Sequence, residues 1–237
     1  MSVIKTIIFI VSLLSTLFIM GCDMKKDPTQ EKSENKNELK EKFNHWKAEQ
    51  DPKLVDDYFQ FIRQYLTQPP TKLEIMTNRN VMVKACESER FAIPPKAYWN
   101  NIMGSLKLLD QLYRDAYFER YTITAMYRSP SLNTCVHGAK QSKHVYHYAV
   151  DFHVLDPKET HEQDRKLLVK ALCQFWLAEG KKLKMGLGVY GNNRFHIDTQ
   201  GYRTWGIGFK SVSSPCLKAK RVDRDIDECE GVNKEGG

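Results

Sequence analysis

The 237-residue sequence predicts an α+β fold, a small and mainly antiparallel sheet with helices packed against it. Three observations lead there. Residues 148–154 and 194–198 alternate apolar and polar side chains with the period of a strand. Residues 52–66 and 159–179 instead space their apolar residues as one face of a helix does. The length allows one domain of about 160 to 180 residues behind a leader and a linker, enough to bury a hydrophobic core.

The leader is residues 1–21, in which Lys5 precedes an apolar run ending in small residues. It reads as an export signal rather than a membrane span. Ile19-Met20-Gly21-Cys22 resembles a bacterial lipobox, which implies cleavage before Cys22 and lipidation of its thiol. The expected location is therefore the periplasm or cell envelope, with the chain anchored to a membrane by its N-terminal lipid. Loss of the single leader lysine takes the formal charge from +7 to +6. A basic surface suits an anionic wall polymer or phospholipid head groups. An exported chain without a nucleic-acid motif is not expected to bind nucleic acid.

Residues 22–50 are rich in Lys, Glu, Asn, Gln and Asp and read as a polar linker, part of it a solvated helix. The domain is expected over 51–210. In 52–66, Asp51 caps the helix, Pro52 occupies its first turn, and Leu54, Val55, Tyr58, Phe59, Ile62 and Leu66 form the apolar face. Pro69-Pro70 stops it. A Phe91-Ala-Ile-Pro-Pro-Lys96 entry leads into a helix with Ile102, Leu106, Leu109 and Tyr113 at helical spacing. Residues 122–127 read as a buried strand that delivers Arg128. Residues 159–179 form a helix with Leu168, Leu172, Phe175 and Trp176 inward, stopped at Gly180. Two strands, 185–190 and 194–198, then flank a Gly191-Asn-Asn193 turn. Thr204-Trp205-Gly206 begins a closing strand, with Trp205 expected in the core. Residues 211–237 read as a polar tail.

The chemistry is concentrated in Ser142-x-His144, Ala149-x-Asp151 and His196-x-Asp198. His144 lies in a loop seven positions before Asp151, and His196 stands on another strand. Asp151 and His196 occupy the polar faces of their strands. Two neutral imidazoles and a carboxylate make a three-ligand set for Zn2+ that leaves a position open, as catalytic zinc sites do. No Cys-x-x-Cys spacing occurs, which disfavours a cysteine site. Arg128 offers paired planar donors to a substrate carboxylate. Asn133 and Ser142 are expected to fix the loop and to orient His144.

At these residues the chain resembles the M15 zinc peptidases of the D-Ala-D-Ala carboxypeptidase type, related to hedgehog-like and lysostaphin-like metallopeptidases. The pattern comprises Tyr127-Arg128-Ser129-Pro130, Asn133, Gly138-Ala139 and the three motifs above, within about residues 75–210. The resemblance implies a zinc peptidase with the ligands His144, Asp151 and His196. It also implies cleavage of peptidoglycan stem peptides by a DD-carboxypeptidase or murein endopeptidase. The chain departs from the family at Asn193, where well-known members carry an acid three residues before the last ligand. Asp198 is then the first candidate general base, with His153 and His147 behind it. The departure also raises an alternative, a non-catalytic wall-binding lipoprotein that keeps the fold.

Five cysteines remain after Cys22. Export permits disulfides. The expected pairs are Cys86 with Cys135 and Cys216 with Cys229, leaving Cys173, inside the apolar helix, as the free thiol.

Overall fold

The computed structural model describes residues 36–79, 81, 84–155 and 162–217. The leader, Cys22 and Cys229 lie outside the described residues. Among the described residues, no helix is long and apolar enough to cross a membrane.

The chain opens with α1 (Lys36–Ala48), α2 (Pro52–Arg63) and the short α3 (Lys72–Met76). The capping expected for α2 is present: the Asp51 side chain accepts from Lys53 N–H and Pro52 fills the first turn. Val55, Tyr58 and Ile62 are buried, whereas Leu54 is 37% exposed and lies off the apolar face expected to include it. A capping box between Thr71 and Glu74 starts α3. The polar linker expected through residue 50 ends earlier. Within α1, Leu39 and Phe43 are buried, and Phe43 packs edge-on to Phe91 at 5.6 Å. Three apolar residues, with Trp46 joining the cluster, suffice to dock an otherwise charged helix, because its remaining side chains stay in water.

A 3-10 segment at Lys96–Ile102 runs into α4 (Met103–Arg114). After β1 (Tyr121–Ala125) come α5 (Pro130–Cys135), β2 (Ala149–Val154), α6 (Glu162–Glu179), β3 (Gly186–Val189), β4 (Arg194–Asp198) and β5 (Arg203–Trp205). The sheet order is β1-β2-β4-β3-β5. All neighbours are antiparallel except β3 and β5. The fold is therefore α+β with a mainly antiparallel five-stranded sheet, as the sequence predicts.

Alternation gives the sheet its two faces. Val150, Phe152 and Val154 join Leu187, Val189, Phe195 and Ile197 in the main core, together with Leu106 and Leu109 of α4 and Leu172 and Trp176 of α6. The opposite face carries the polar residues of β2 and β4. There Asp151 pairs with His196 and Ala149 with Asp198 across the ladder. A one-residue slip would move this whole set into the apolar core, so burial of one face fixes the register of the other.

Among the described residues, two disulfides close the domain. Cys86 is bonded to Cys135, as expected, and ties the 3-10 segment Lys84–Glu89 to α5. The second bond corrects the sequence reading, because Cys173 is bonded to Cys216 and is not free. Both sulfurs are buried, and Cys216 belongs to the core. The folded domain thus extends past residue 210. A 3-10 turn at Ser211–Ser213 and the Thr204–Ser214 hydroxyl pair at 2.7 Å lead the chain back to α6.

Candidate metal centre

His144 is held from two sides by the segment that follows β1. Its Nδ1–H donates to Met126 O at 2.7 Å, and its carbonyl accepts from Arg128 N at 3.1 Å. The first bond assigns the tautomer, leaving the Nε2 lone pair facing inward. His196 is fixed the other way round. Its Nε2–H donates to Asp198 Oδ2 at 3.0 Å, which turns Nδ1 inward. Asp151 Oδ1 lies 3.2 Å from His144 Nε2 and 2.8 Å from His196 Nδ1. The two inner nitrogens are 3.2 Å apart. Three donor atoms, one from each buried residue, thus lie within 4.8 Å of one another.

This donor set fits a divalent cation. Both outer nitrogens are committed as donors, so the inner atoms present lone pairs to one another and repel unless positive charge lies among them. Without a metal, a proton on His196 supplies that charge. Burial opposes the proton, but hydrogen bonds to Asp151 and Asp198 outweigh burial and raise the pKa. Burial holds the His144 pKa down despite Asp151. At Asp151 burial favours the neutral acid, yet the two histidines prevail and keep the carboxylate ionised. The spacings approach the ~3.3 Å ligand separation of a tetrahedral zinc with bonds near 2.0–2.1 Å.

Asp198 does not face the inner side. It is fully buried, with Oδ2 on His196 Nε2 and the Arg203 guanidinium paired with both of its oxygens. Gln200 N–H takes a further bond to Oδ1 at 2.8 Å. Burial pushes its pKa up, but His196 and Arg203 prevail and hold it below the ordinary carboxylate range. Its place behind the ring lets it orient His196 and keeps its oxygens off the inner side of the cluster, where a base would act.

The other candidate bases are not brought into the cluster. His153 stands one pleat beyond Asp151, opposite Thr122 and Arg194. His147 is fully buried in the left-handed region (φ 59°). Its Nε2 and the Tyr58 hydroxyl are hydrogen-bonded at 3.1 Å, and its ring meets Tyr127 edge-on. Burial, with His144 adding to it, pushes its pKa down to about 3. Asn193 is buried at φ 51°, and its side-chain oxygen has no hydrogen-bond partner among the described residues.

Arg128 is half-buried, and its side chain makes a long hydrogen bond from Nη1 to Asn133 Oδ1 at 3.5 Å. Asn133 is turned for this by donating Nδ2–H to Ala139 O at 3.2 Å. A Cβ at Gly138 would fall 2.1 Å from Asn133 Oδ1, so glycine lets the loop close on that pair. Ser129 caps α5 by accepting from Leu132 N–H, with Pro130 in the first turn. Asn133 therefore positions Arg128 rather than His144. Ser142 supports the loop through its backbone, bonded to Ala139 O and Val145 N–H.

Sequence reasoning missed the floor of the site. Gly186 and Gly188 share the face of Asp198 and His196 and pair laterally with Arg203 and Trp205. A Cβ at Gly186 would lie 2.5 Å from Asp198 Oδ2, and one at Gly188 would lie 2.8 Å from the Trp205 ring. The two glycines make the hollow in which Arg203 reaches Asp198 and Trp205 reaches His196, its ring 5.0 Å from the imidazole. Trp205 is thus a half-buried wall of the site, not a core residue. The Gly-x-Gly spacing, set against Arg-x-Trp, was the available signal.

The sheet thus carries a buried His-Asp-His group that could hold a metal ion, with the charge of Arg128 acting on His144. Residues 73–172 match the family model described as Peptidase M15, a span that holds Arg128, His144 and Asp151. Over that span the chain is similar to M15 peptidases. No curated protein matches the chain.

Proposed function

We propose that the chain is a zinc metallopeptidase that hydrolyses D-amino-acid peptide bonds in peptidoglycan stem peptides, as a DD-carboxypeptidase or murein endopeptidase. The convergence of His144, Asp151 and His196, with one potential ligand atom from each within 4.8 Å of the others, carries this reading. Those three residues would hold Zn2+, which when bound activates water and polarises the scissile carbonyl. Arg128, braced by Asn133, binds the carboxylate of the stem peptide and sets the register of the scissile bond. Met126 O and Asp198 keep both imidazoles in the ligating tautomer. Trp205 and the burial of the triad limit the entry of bulk water.

The two disulfides suit an oxidising compartment. They support export, and the lipid anchor at Cys22 is proposed on the sequence motif alone. A second reading, a wall-binding lipoprotein without catalysis, draws on Asn193 and on the removal of Asp198 from the inner side.

Digestion of purified muropeptides by the zinc-loaded protein tests the choice. Loss of a terminal D-alanine or opening of a cross-link, abolished by His144→Ala, is the expected result. Intact muropeptides together with binding to sacculi would establish the second reading instead.

A further inference from the structure

Tyr190 follows β3 and, by alternation, shares the face of Gly186 and Gly188, the face that carries His196 and Asp198 on the neighbouring strand. Its backbone is pinned by N–H donation to Arg194 O at 2.9 Å and by Arg165 Nη2 donating to its carbonyl at 3.3 Å. The ring is pinned at both ends. Phe209 meets it edge-on at 5.5 Å, and the hydroxyl oxygen accepts from Trp205 Nε1–H at 3.0 Å. Phe209 is 78% exposed and adopts a left-handed backbone (φ 59°) that bulky residues rarely take. Phe209 thus braces the half-buried Tyr190 from the solvent side.

The hydrogen-bond inventory is decisive. Trp205 can only donate, so the Tyr190 oxygen is an acceptor in that bond and its own O–H remains to be given. Donation into the oxygen polarises the O–H and strengthens it as a donor. The indole that does this also lies against His196. Burial, with the charge of Asp151 adding to it, keeps the phenol protonated, and Arg128 acts on the same hydroxyl.

Building on the peptidase reading, we propose that Tyr190 is a further catalytic residue, whose O–H donates a hydrogen bond to the carbonyl oxygen of the scissile peptide as negative charge builds on it. No proton is transferred; the bond strengthens as the oxygen becomes anionic. Trp205 is the positioning residue for that hydroxyl. A phenol at this place relieves the lack of an acid at Asn193 in one respect only, by stabilising charge rather than moving protons.

Tyr190→Phe tests the assignment, because the ring and its contact with Phe209 are kept. Two readouts are needed. In the cobalt-substituted protein, acetohydroxamate binding is followed by the visible spectrum. Affinity is expected to fall about tenfold in Tyr190→Phe and to stay unchanged in Tyr113→Phe on α4. On muropeptides, kcat is expected to fall about 10- to 100-fold with KM little changed, while metal content and melting temperature match the parent. Equal hydroxamate affinity in parent and variant overturns the proposal, as does a loss that merely follows lost metal. If the parent cuts no muropeptide yet its hydroxamate affinity depends on Tyr190, the peptidase reading fails and the donor assignment stands.

Discussion

Asp198 accepts the Nε2–H of His196 at 3.0 Å, and Arg203 grips the far side of the same carboxylate. The imidazole is aimed by a residue two positions away that stands outside the His144–Asp151–His196 cluster. Asp198→Asn should therefore weaken zinc binding about 10- to 100-fold without unfolding the sheet. Competition against a chromophoric chelator measures it. Unchanged affinity would show that the ring is oriented by packing alone.

The hollow beneath the site predicts a packing effect. Gly188→Ala places a methyl against the Trp205 ring, where 2.8 Å separates the ideal Cβ from its nearest atoms. Overpacking of this kind costs about 1–3 kcal/mol. Denaturant unfolding should show that loss, and tryptophan fluorescence should report the displaced indole. Gly191→Ala is the control, since nothing lies within 4 Å of its Cβ position.

His147 predicts an acid limb in the stability curve. Its pKa is about 3 in the folded protein, against about 6.5 when unfolded. Between those values the unfolded chain binds the extra proton, so stability falls as pH drops through that window. The slope is about 1.4 kcal/mol per pH unit from this group. Tyr58, Tyr127 and His144 are the polar groups around it. His147→Asn tolerates the left-handed backbone and removes the titration. The metal-free variant should show a shallower loss of stability between pH 6 and 4 in urea titrations, pH values chosen inside the ~3 to ~6.5 window.

The Cys173–Cys216 bond spans 43 residues. Chain entropy assigns such a cross-link about 4 kcal/mol at most, and typical losses are about 2–4 kcal/mol. Cys173→Ser with Cys216→Ser should lower the melting temperature accordingly and expose residues after Trp205 to protease. Nonreducing peptide mapping of the parent should recover the 173–216 pair.

Local chemistry made much of this legible beforehand. The Asp51 cap and Pro52 set the start of α2, and alternation through Ala149–Val154 put Asp151 opposite the apolar core. The candidate metal triad could be read because Asp151 and His196 stand on polar strand faces and His144 lies in a loop before Asp151's strand, donor types that suit one cation. The polar stretch before residue 50 misled, because composition averages over Leu39 and Phe43, whose burial docks α1.

What the sequence by itself determined is the inventory: which strands exist, which face of each is polar, and which three side chains can ligate a metal. These follow from rules that act over a few residues, such as periodicity, capping and donor chemistry. Only the tertiary structure decided the partner of Cys173, the turning of Asp198 to the back of His196, and the docking of Trp205 in the notch at Gly188. Each depends on which atom of one segment meets which atom of a distant one. That choice is made by the packing of the whole core, and no local pattern encodes it.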